Sequence, residues 1–303
     1  MSSKPLLVVI AGPTASGKTS LSISLAQKLQ TEIISADSRQ FFREMLIGTA
    51  RPTEREMQGV RHHFTGHMSI SESFNVSQYE QDVLKLLHNL FSRHKVVLLT
   101  GGSGLYIKAV CEGIDKLPDP DPALREKIKE TFRKYGVEAL QKWLYQVDEP
   151  YYNQVDLQNP KRLMRAIEVC ETSGKKYSEL RKNEPKSRFF NTLKIALDMP
   201  RQELFYRINN RTDEMIASGL VEEVNSLLPF KNLNALNTVG YKELFRYFDG
   251  EISLDQAVTD IKTNTRRYAK RQLTWFKKDT EYQWFHPSLE EAILDLIKTH
   301  MRE

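Results

Sequence analysis

Eight residues near the start of the chain, Gly12-Pro13-Thr14-Ala15-Ser16-Gly17-Lys18-Thr19, have the types and spacing that hold a polyphosphate. The glycines let backbone N–H groups curl around phosphate oxygens, and a helix N-terminus behind the loop adds partial positive charge. Lys18 supplies a full charge, and the Thr19 hydroxyl is placed to hold Mg2+. Hydrolytic proteins with this nucleotide-binding loop usually carry, at the end of a later strand, an Asp that helps hold the metal. Here the corresponding run Lys95–Thr100 enters Gly101-Gly102-Ser103-Gly104 instead. A second glycine turn stands where the acid would be, able to bring backbone and the Ser103 hydroxyl close to a ligand. The strand-end acid is Asp37, after Glu32–Ala36. A carboxylate repels pyrophosphate, so Asp37 is expected to orient Mg2+ through water or to act as a base toward a second substrate. A helix-capping Asp is the plainer alternative.

The elements that must position these residues alternate. Leu6–Ile10 is a continuous apolar run, as in a strand buried on both faces. Helical spacing follows over Thr19–Lys28, then a short strand over Glu32–Asp37, a helix over Val76–His88, and a third strand over Lys95–Thr100. Strand, helix and strand at this spacing predict crossover units and a parallel sheet, with ligands at the carboxyl ends of the strands. Adjacent strands would set Asp37 beside the first loop. The run Leu117-Pro118-Asp119-Pro120-Asp121-Pro122 marks a boundary. A charged, helical stretch follows to about Asn183, and Leu193–Leu197 resumes strand character. The fold expected is α/β: a P-loop parallel-sheet core over 1–115 and 191–303, a mainly α-helical insertion domain over 116–190, and C-terminal helices. Those helices read as a long one over Arg201–Leu228, a pair over Ser253–Lys278 and a terminal one over Glu290–Ile297.

Composition bounds the class. The chain has 303 residues, 44 Lys+Arg against 39 Asp+Glu, and 40% hydrophobic residues, enough for a sizeable core. Two cysteines, Cys111 and Cys170, exclude a disulfide scaffold and read as small buried hydrophobes. No run reaches the roughly 18 apolar residues of a membrane helix, and Leu6–Ala11 is too short for a signal-peptide core. A cytoplasmic protein with no membrane partner is expected. His62-His63 lacks an evident third ligand and reads as structural or as part of a substrate shell.

The bases are uneven. Ile261–Lys278 holds seven Lys or Arg and no acid, with Tyr268, Trp275 and Phe276 interleaved. Charge beside stacking surface is an RNA footprint, and a solvated basic helix face is the alternative. Lys161–Arg188 is a second basic run, diluted by Glu168, Glu171, Glu179 and Glu184.

Taken in order, Gly12–Thr19, Asp37-Ser38-Arg39-Gln40, Gly48-Thr49-Ala50-Arg51-Pro52-Thr53, Gly101-Gly102-Ser103-Gly104-Leu105-Tyr106, Arg162–Val169, Val239-Gly240-Tyr241-Lys242-Glu243 and Thr265–Trp275 resemble the tRNA dimethylallyltransferase family, the bacterial tRNA isopentenyltransferases. The motifs span about residues 5 to 278. The resemblance implies Mg2+-dependent transfer of a dimethylallyl group from dimethylallyl diphosphate to the exocyclic N6 amine of the adenosine next to the anticodon, on its 3′ side, in tRNAs reading codons that begin with U. It implies Asp37 as general base, with Thr19, Ser103 and Arg211 also catalytic. Gly12, Thr14, Ala15, Ser16, Gly17, Lys18, Thr19, Arg207 and Arg211 match diphosphate contacts. Asp37, Ser38, Arg39, Gln40, Ser103, Arg125, Lys161, Arg162, Arg165, Lys242, Lys270, Arg271, Gln272 and Trp275 match contacts to the anticodon stem-loop. Ser103 stands where the family usually has Thr. Asn159-Pro160-Lys161-Arg162 departs from the usual Asn-Asp-x-Gln-Arg stretch, replacing an Asp by Pro160 and a Gln by Lys161. A monomer is expected. The rivals are an adenylate dimethylallyltransferase acting on AMP, ADP or ATP, a small-molecule kinase, and a non-catalytic RNA-binding protein.

Overall fold

The structure is a computed structural model and describes residues 4–119 and 121–302. Pro120, within the proline-rich boundary, lies outside the described residues. The chain divides into two units: Met1–Cys111 with Arg188–Glu303, and Glu112–Ser187. The sequence reading set these limits at 116 and 190.

The larger unit is built on a six-stranded sheet in the order β3-β2-β4-β1-β5-β6, with every pairing parallel. The strands are β1 (Leu6–Ala11), β2 (Ile33–Ser35), β3 (His62–His63), β4 (Val96–Gly101), β5 (Asn191–Leu197) and β6 (Gln283–Phe285). All six residues of β1 are buried, because alternate side chains enter two separate cores. Leu7, Val9 and Ala11 join Val97 and Leu99 on one face. Leu6, Val8 and Ile10 join Leu98, Leu193 and Ile195 on the other. This burial on both faces explains the unbroken apolar runs.

Register sets the site. Ile10 and Ser35 both pair with Thr100, and Ala11 pairs with Gly101. The loops after β1, β2 and β4 therefore leave the sheet at one level. The expectation that β1 and β2 are neighbours is corrected: β4 lies between them. Asp37 still reaches the first loop, because β4 ends in glycines that occupy almost no width.

Three further expectations change. The long helix over Arg201–Leu228 stops at Ala217, where Gly219 turns the chain at φ 99°, and restarts as Leu220–Ser226. The pair over Ser253–Lys278 is a single helix, Leu254–Phe276, whose first turn is capped by the Ser253 side chain accepting from the Gln256 N–H. Strands β3 and β6, of two and three residues, escaped notice because edge strands so short carry no readable alternation.

The smaller unit has its own core of Ile128, Leu140, Leu144, Tyr151, Leu163, Ala166 and Ile167. Its two main helices are Pro122–Val147, interrupted at Gly136 (φ 72°), and Pro160–Ser173. The departure at Asn159-Pro160 is a helix start: the Asn159 side chain accepts from the Arg162 N–H, and Pro160 takes the first helical position, where no N–H is needed.

Candidate active site

The first loop has the backbone that anion binding requires. Gly12 (φ 151°), Ala15 (φ 64°) and Gly17 (φ 85°) have positive φ, and Gly17 is the N-cap of the helix Lys18–Leu29. Gly12 also lacks room for a side chain: a Cβ there would meet the Leu197 carbonyl oxygen at 3.0 Å. Lys18 Nζ donates to the Pro13 carbonyl at 2.6 Å. Burial pulls the Lys18 ammonium down to about 8, Asp37 opposes that fall, and Arg211 adds to it. The three charged groups thus share one space. Ser16 Oγ is buried and has no hydrogen-bond partner.

That space is a cavity of about 830 Å³ lined by Thr14 through Ser20, Asp37, Gln40, Thr49, Glu56, Arg207, Arg211, Gln272, His286 and Ser288, among others. Asp37 enters from the loop after β2. Its Oδ1 accepts the Arg39 N–H at 3.2 Å in a local turn, so it caps no helix. Burial raises its pKa, against the pull of that hydrogen bond and of Lys18 and Arg39. A half-buried carboxylate facing an ammonium, with a proton affinity above that of a free Asp, has the electrostatics of a base.

Ser103 holds this acid loop to the second glycine turn. Its Oγ accepts the Ser38 N–H at 3.1 Å and lies 3.3 Å from Ser38 Oγ. Gln40 donates to the carbonyls of Thr49 (3.2 Å) and Ala50 (3.1 Å), fixing the rim. Beside the first loop, Arg207 pairs with Glu203 at 2.8 Å. Arg211 is held below the usual guanidinium range by burial, with Glu214 and Glu56 opposing. Both arginines, one helical turn apart on Arg201–Ala217, face the cavity together with Lys18.

Several residues expected to touch RNA are engaged within the protein. Gln272 is buried: its Oε1 accepts the Thr14 N–H at 2.9 Å and its Nε2 donates to the Gly102 carbonyl at 3.0 Å. It ties the two glycine turns together. Arg39 donates to the carbonyls of Asn234 and Ala235. Arg125 holds Glu168 with two hydrogen bonds, and Arg165 holds the same carboxylate at 2.7 Å. All three guanidiniums have partners within the protein, and Arg125 and Arg165 keep 46% and 33% of their side-chain surface exposed. By contrast, Lys161, Arg162, Lys242, Lys270 and Arg271 are exposed, and Trp275 is 43% exposed. Lys270 and Arg271 border a shallow groove with Arg267 and Thr274.

Sequence reasoning missed Glu223. Its carboxylate accepts the N–H groups of Leu46, Ile47 and Gly48 and the Tyr241 hydroxyl. The Gly48 and Tyr241 motifs are thereby halves of one construction, with the Tyr241 ring at 2.6 Å from where a Gly48 Cβ would sit. His63 bonds Glu32 at 2.6 Å and His62 bonds the Val60 carbonyl at 2.9 Å. Both cysteines are buried.

A glycine-rich loop at the carboxyl end of a parallel sheet, faced by a half-buried carboxylate and two arginines and with no acid ending β4, has the form of a phosphate site that serves group transfer to a second substrate. The sequence matches the IPP transferase family over residues 40–279, and the chain belongs to that family. It is 51% identical to a tRNA dimethylallyltransferase of Christiangramia forsetii, covering 92% of each chain. It is 46% identical to tRNA dimethylallyltransferase 1 of Bacteroides thetaiotaomicron, covering 97% of this chain and 96% of that one. The fold matches the full-length tRNA isopentenylpyrophosphate transferase of Bacillus halodurans with a TM-score of 0.73 at 35% identity, over 99% and 97% of the two chains. It also matches a eukaryotic dimethylallyltransferase solved acting on tRNA, with a TM-score of 0.71 at 26% identity, over 89% of this chain and 69% of that one.

Proposed function

We infer that the chain is a tRNA dimethylallyltransferase: it transfers the dimethylallyl group of dimethylallyl diphosphate to the N6 amine of the adenosine 3′-adjacent to the anticodon, in tRNAs reading codons that begin with U. The observation that carries the reading is the meeting of Lys18 and Asp37 in one cavity, a cation for the leaving group and a base for the incoming amine.

The diphosphate lies on the loop Gly12–Lys18 with Arg207 and Arg211 beside it. The bond between C1 of the allyl group and the diphosphate oxygen breaks, and its electron pair leaves with the diphosphate. Lys18 and the two arginines neutralise the charge that grows there. The N6 lone pair forms the new C–N bond, and Asp37 takes the N6 proton. Gln40 and the Thr49 and Ala50 carbonyls shape the side from which the base enters.

Mg2+ fits the loop. The Thr19 hydroxyl is exposed on the cavity wall, and the unpartnered Ser16 Oγ marks a loop arranged for a ligand. Bound there, the ion would neutralise diphosphate charge. The adenine must leave the loop stack, which costs a few kcal/mol. Phosphate contacts from exposed bases offset that cost: Lys161 and Arg162 on the insertion, and Lys242, Lys270 and Arg271 on the core, with Trp275 as a stacking surface. The enzyme works as a monomer in the cytoplasm.

The test is mass spectrometry of nucleosides from unmodified tRNA incubated with protein, Mg2+ and dimethylallyl diphosphate, with AMP as a parallel substrate. Dimethylallyl-adenosine in tRNA is the expected product. Prenylated AMP alone would transfer the function to free nucleotides, and no product in either arm would overturn the reading.

A further inference from the structure

The cavity wall beyond the two arginines comes from a segment outside the matched family region, His286–Glu290. Strand β6 adds to the edge of the sheet and delivers this segment over the first loop, where Pro287 lies 3.6 Å from the position a Gly17 Cβ would take. The helix Glu290–His300 anchors it: Glu290 accepts from Ser24 at 2.5 Å and pairs with Lys28 at 2.7 Å, both on the helix that opens at Lys18. The segment is therefore fixed to the phosphate loop.

His286 faces the cavity from this wall. Its Nδ1 lies 2.7 Å from Ser288 Oγ and accepts the Ser288 N–H at 3.3 Å. That acceptor role puts the ring proton on Nε2. Nε2 is 3.5 Å from Glu203 Oε2, and the other oxygen of that carboxylate accepts from Arg207 Nη2 at 2.8 Å. Nη1 of the same guanidinium stands 3.6 Å from where a Gly17 Cβ would sit. The chain His286–Glu203–Arg207 thus runs from the C-terminal wall to the mouth of the phosphate loop.

We propose that His286 and Glu203 are positioning residues for Arg207, and that the C-terminal segment fixes the geometry of the diphosphate subsite. A flexible guanidinium beside an anion site must be oriented to contribute fully, since ordering it on binding costs affinity. Glu203 orients Arg207 but also places negative charge near a dianionic leaving group. The Nε2–H of His286 draws on that carboxylate from the far side and reduces its repulsion of the diphosphate. The proposal rests on the reading of the cavity as a diphosphate site.

The test measures inorganic diphosphate binding by calorimetry, and KM for dimethylallyl diphosphate and for tRNA, in the full chain and four variants: Lys18→Ala, His286→Ala, His286→Gln and Glu203→Gln. Thermal unfolding of each variant verifies folding. His286→Ala is expected to weaken diphosphate and raise KM for dimethylallyl diphosphate by about 1.5- to 5-fold, the size of one partly exposed charged contact, with the KM for tRNA held. His286→Gln, which keeps an N–H donor, recovers most of the loss. Glu203→Gln, which releases Arg207 from a charged partner, also shifts diphosphate affinity. If wild type binds diphosphate and Lys18→Ala does not, while His286→Ala binds as wild type does, the positioning role is wrong and the site reading stands. If wild type itself fails to bind diphosphate, the site reading falls first.

Discussion

Two glycine turns flank the site, and they use glycine for different reasons. In the first, Gly12 and Gly17 have φ of 151° and 85°, and the residue type serves backbone conformation first, with Gly12 also tight against the Leu197 carbonyl. In the second, Gly101, Gly102 and Gly104 have no positive φ. Their need is clearance. A Cβ on Gly101 would run into the Ala36 backbone, one on Gly102 into the Gln272 amide, and one on Gly104 into the Trp275 indole. The first turn is shaped to receive an anion. The second is thinned so that the Asp37 loop and the helix Leu254–Phe276 can close against β4. The same residue letter therefore reports a ligand in one place and a packing contact in the other, and spacing alone does not separate them.

The difference can be broken by substitution. The largest effect belongs to the group the two turns hold between them: Asp37→Asn should lower kcat by about 10²- to 10⁴-fold, as for loss of a positioned base, while diphosphate binding persists. Turnover near wild type would remove the base assignment. Lys18→Ala, in the first turn, should weaken diphosphate by about 10- to 100-fold, as expected for charged hydrogen bonds, without loss of fold; an unfolded variant would make that lysine structural. Gly102→Ala, in the second turn, should do the reverse. Overpacking against Gln272 costs about 1–3 kcal/mol, read as a fall of several degrees in Tm, with diphosphate affinity changed less than Tm. Should Gly102→Ala spare Tm and abolish diphosphate binding, the distinction between the turns collapses. The smallest effect is Gly17→Ala, which forces a Cβ into left-handed backbone at about 1 kcal/mol. It is expected to appear mainly as weaker diphosphate binding.

Acidity gives another separation. The raised Asp37 pKa means that the proposed base is protonated, as pH falls, at higher pH than a free Asp, so kcat/KM should drop on that limb. An acid limb that survives Asp37→Asn would assign it elsewhere.

The first turn was legible because its eight residues are contiguous and its flanks, Leu6–Ala11 and Lys18–Leu29, are strong local patterns. The second turn was legible as glycines, but what they make room for was not. Gln272 lies 170 residues from Gly102, and Glu223 some 175 from Gly48. Such pairings leave no local trace. The same holds for Arg39, Arg125 and Arg165, whose sequence position says cation and whose partners, the 234–235 carbonyls and Glu168, say tie. His286 stood in an unremarkable tail, and only the pairing of β6 with β5 carries it to the cavity.

Lys18, held at about 8 by burial, has one more consequence. An empty site keeps this ammonium charged against its surroundings, and a bound diphosphate reverses that preference. Binding is therefore coupled to the proton count of the solution. A bound diphosphate favours the protonated lysine, so the capture of the anion and the uptake of a proton at Lys18 support each other. The enzyme's hold on its leaving group is, in this sense, a small acid–base reaction with the surrounding water.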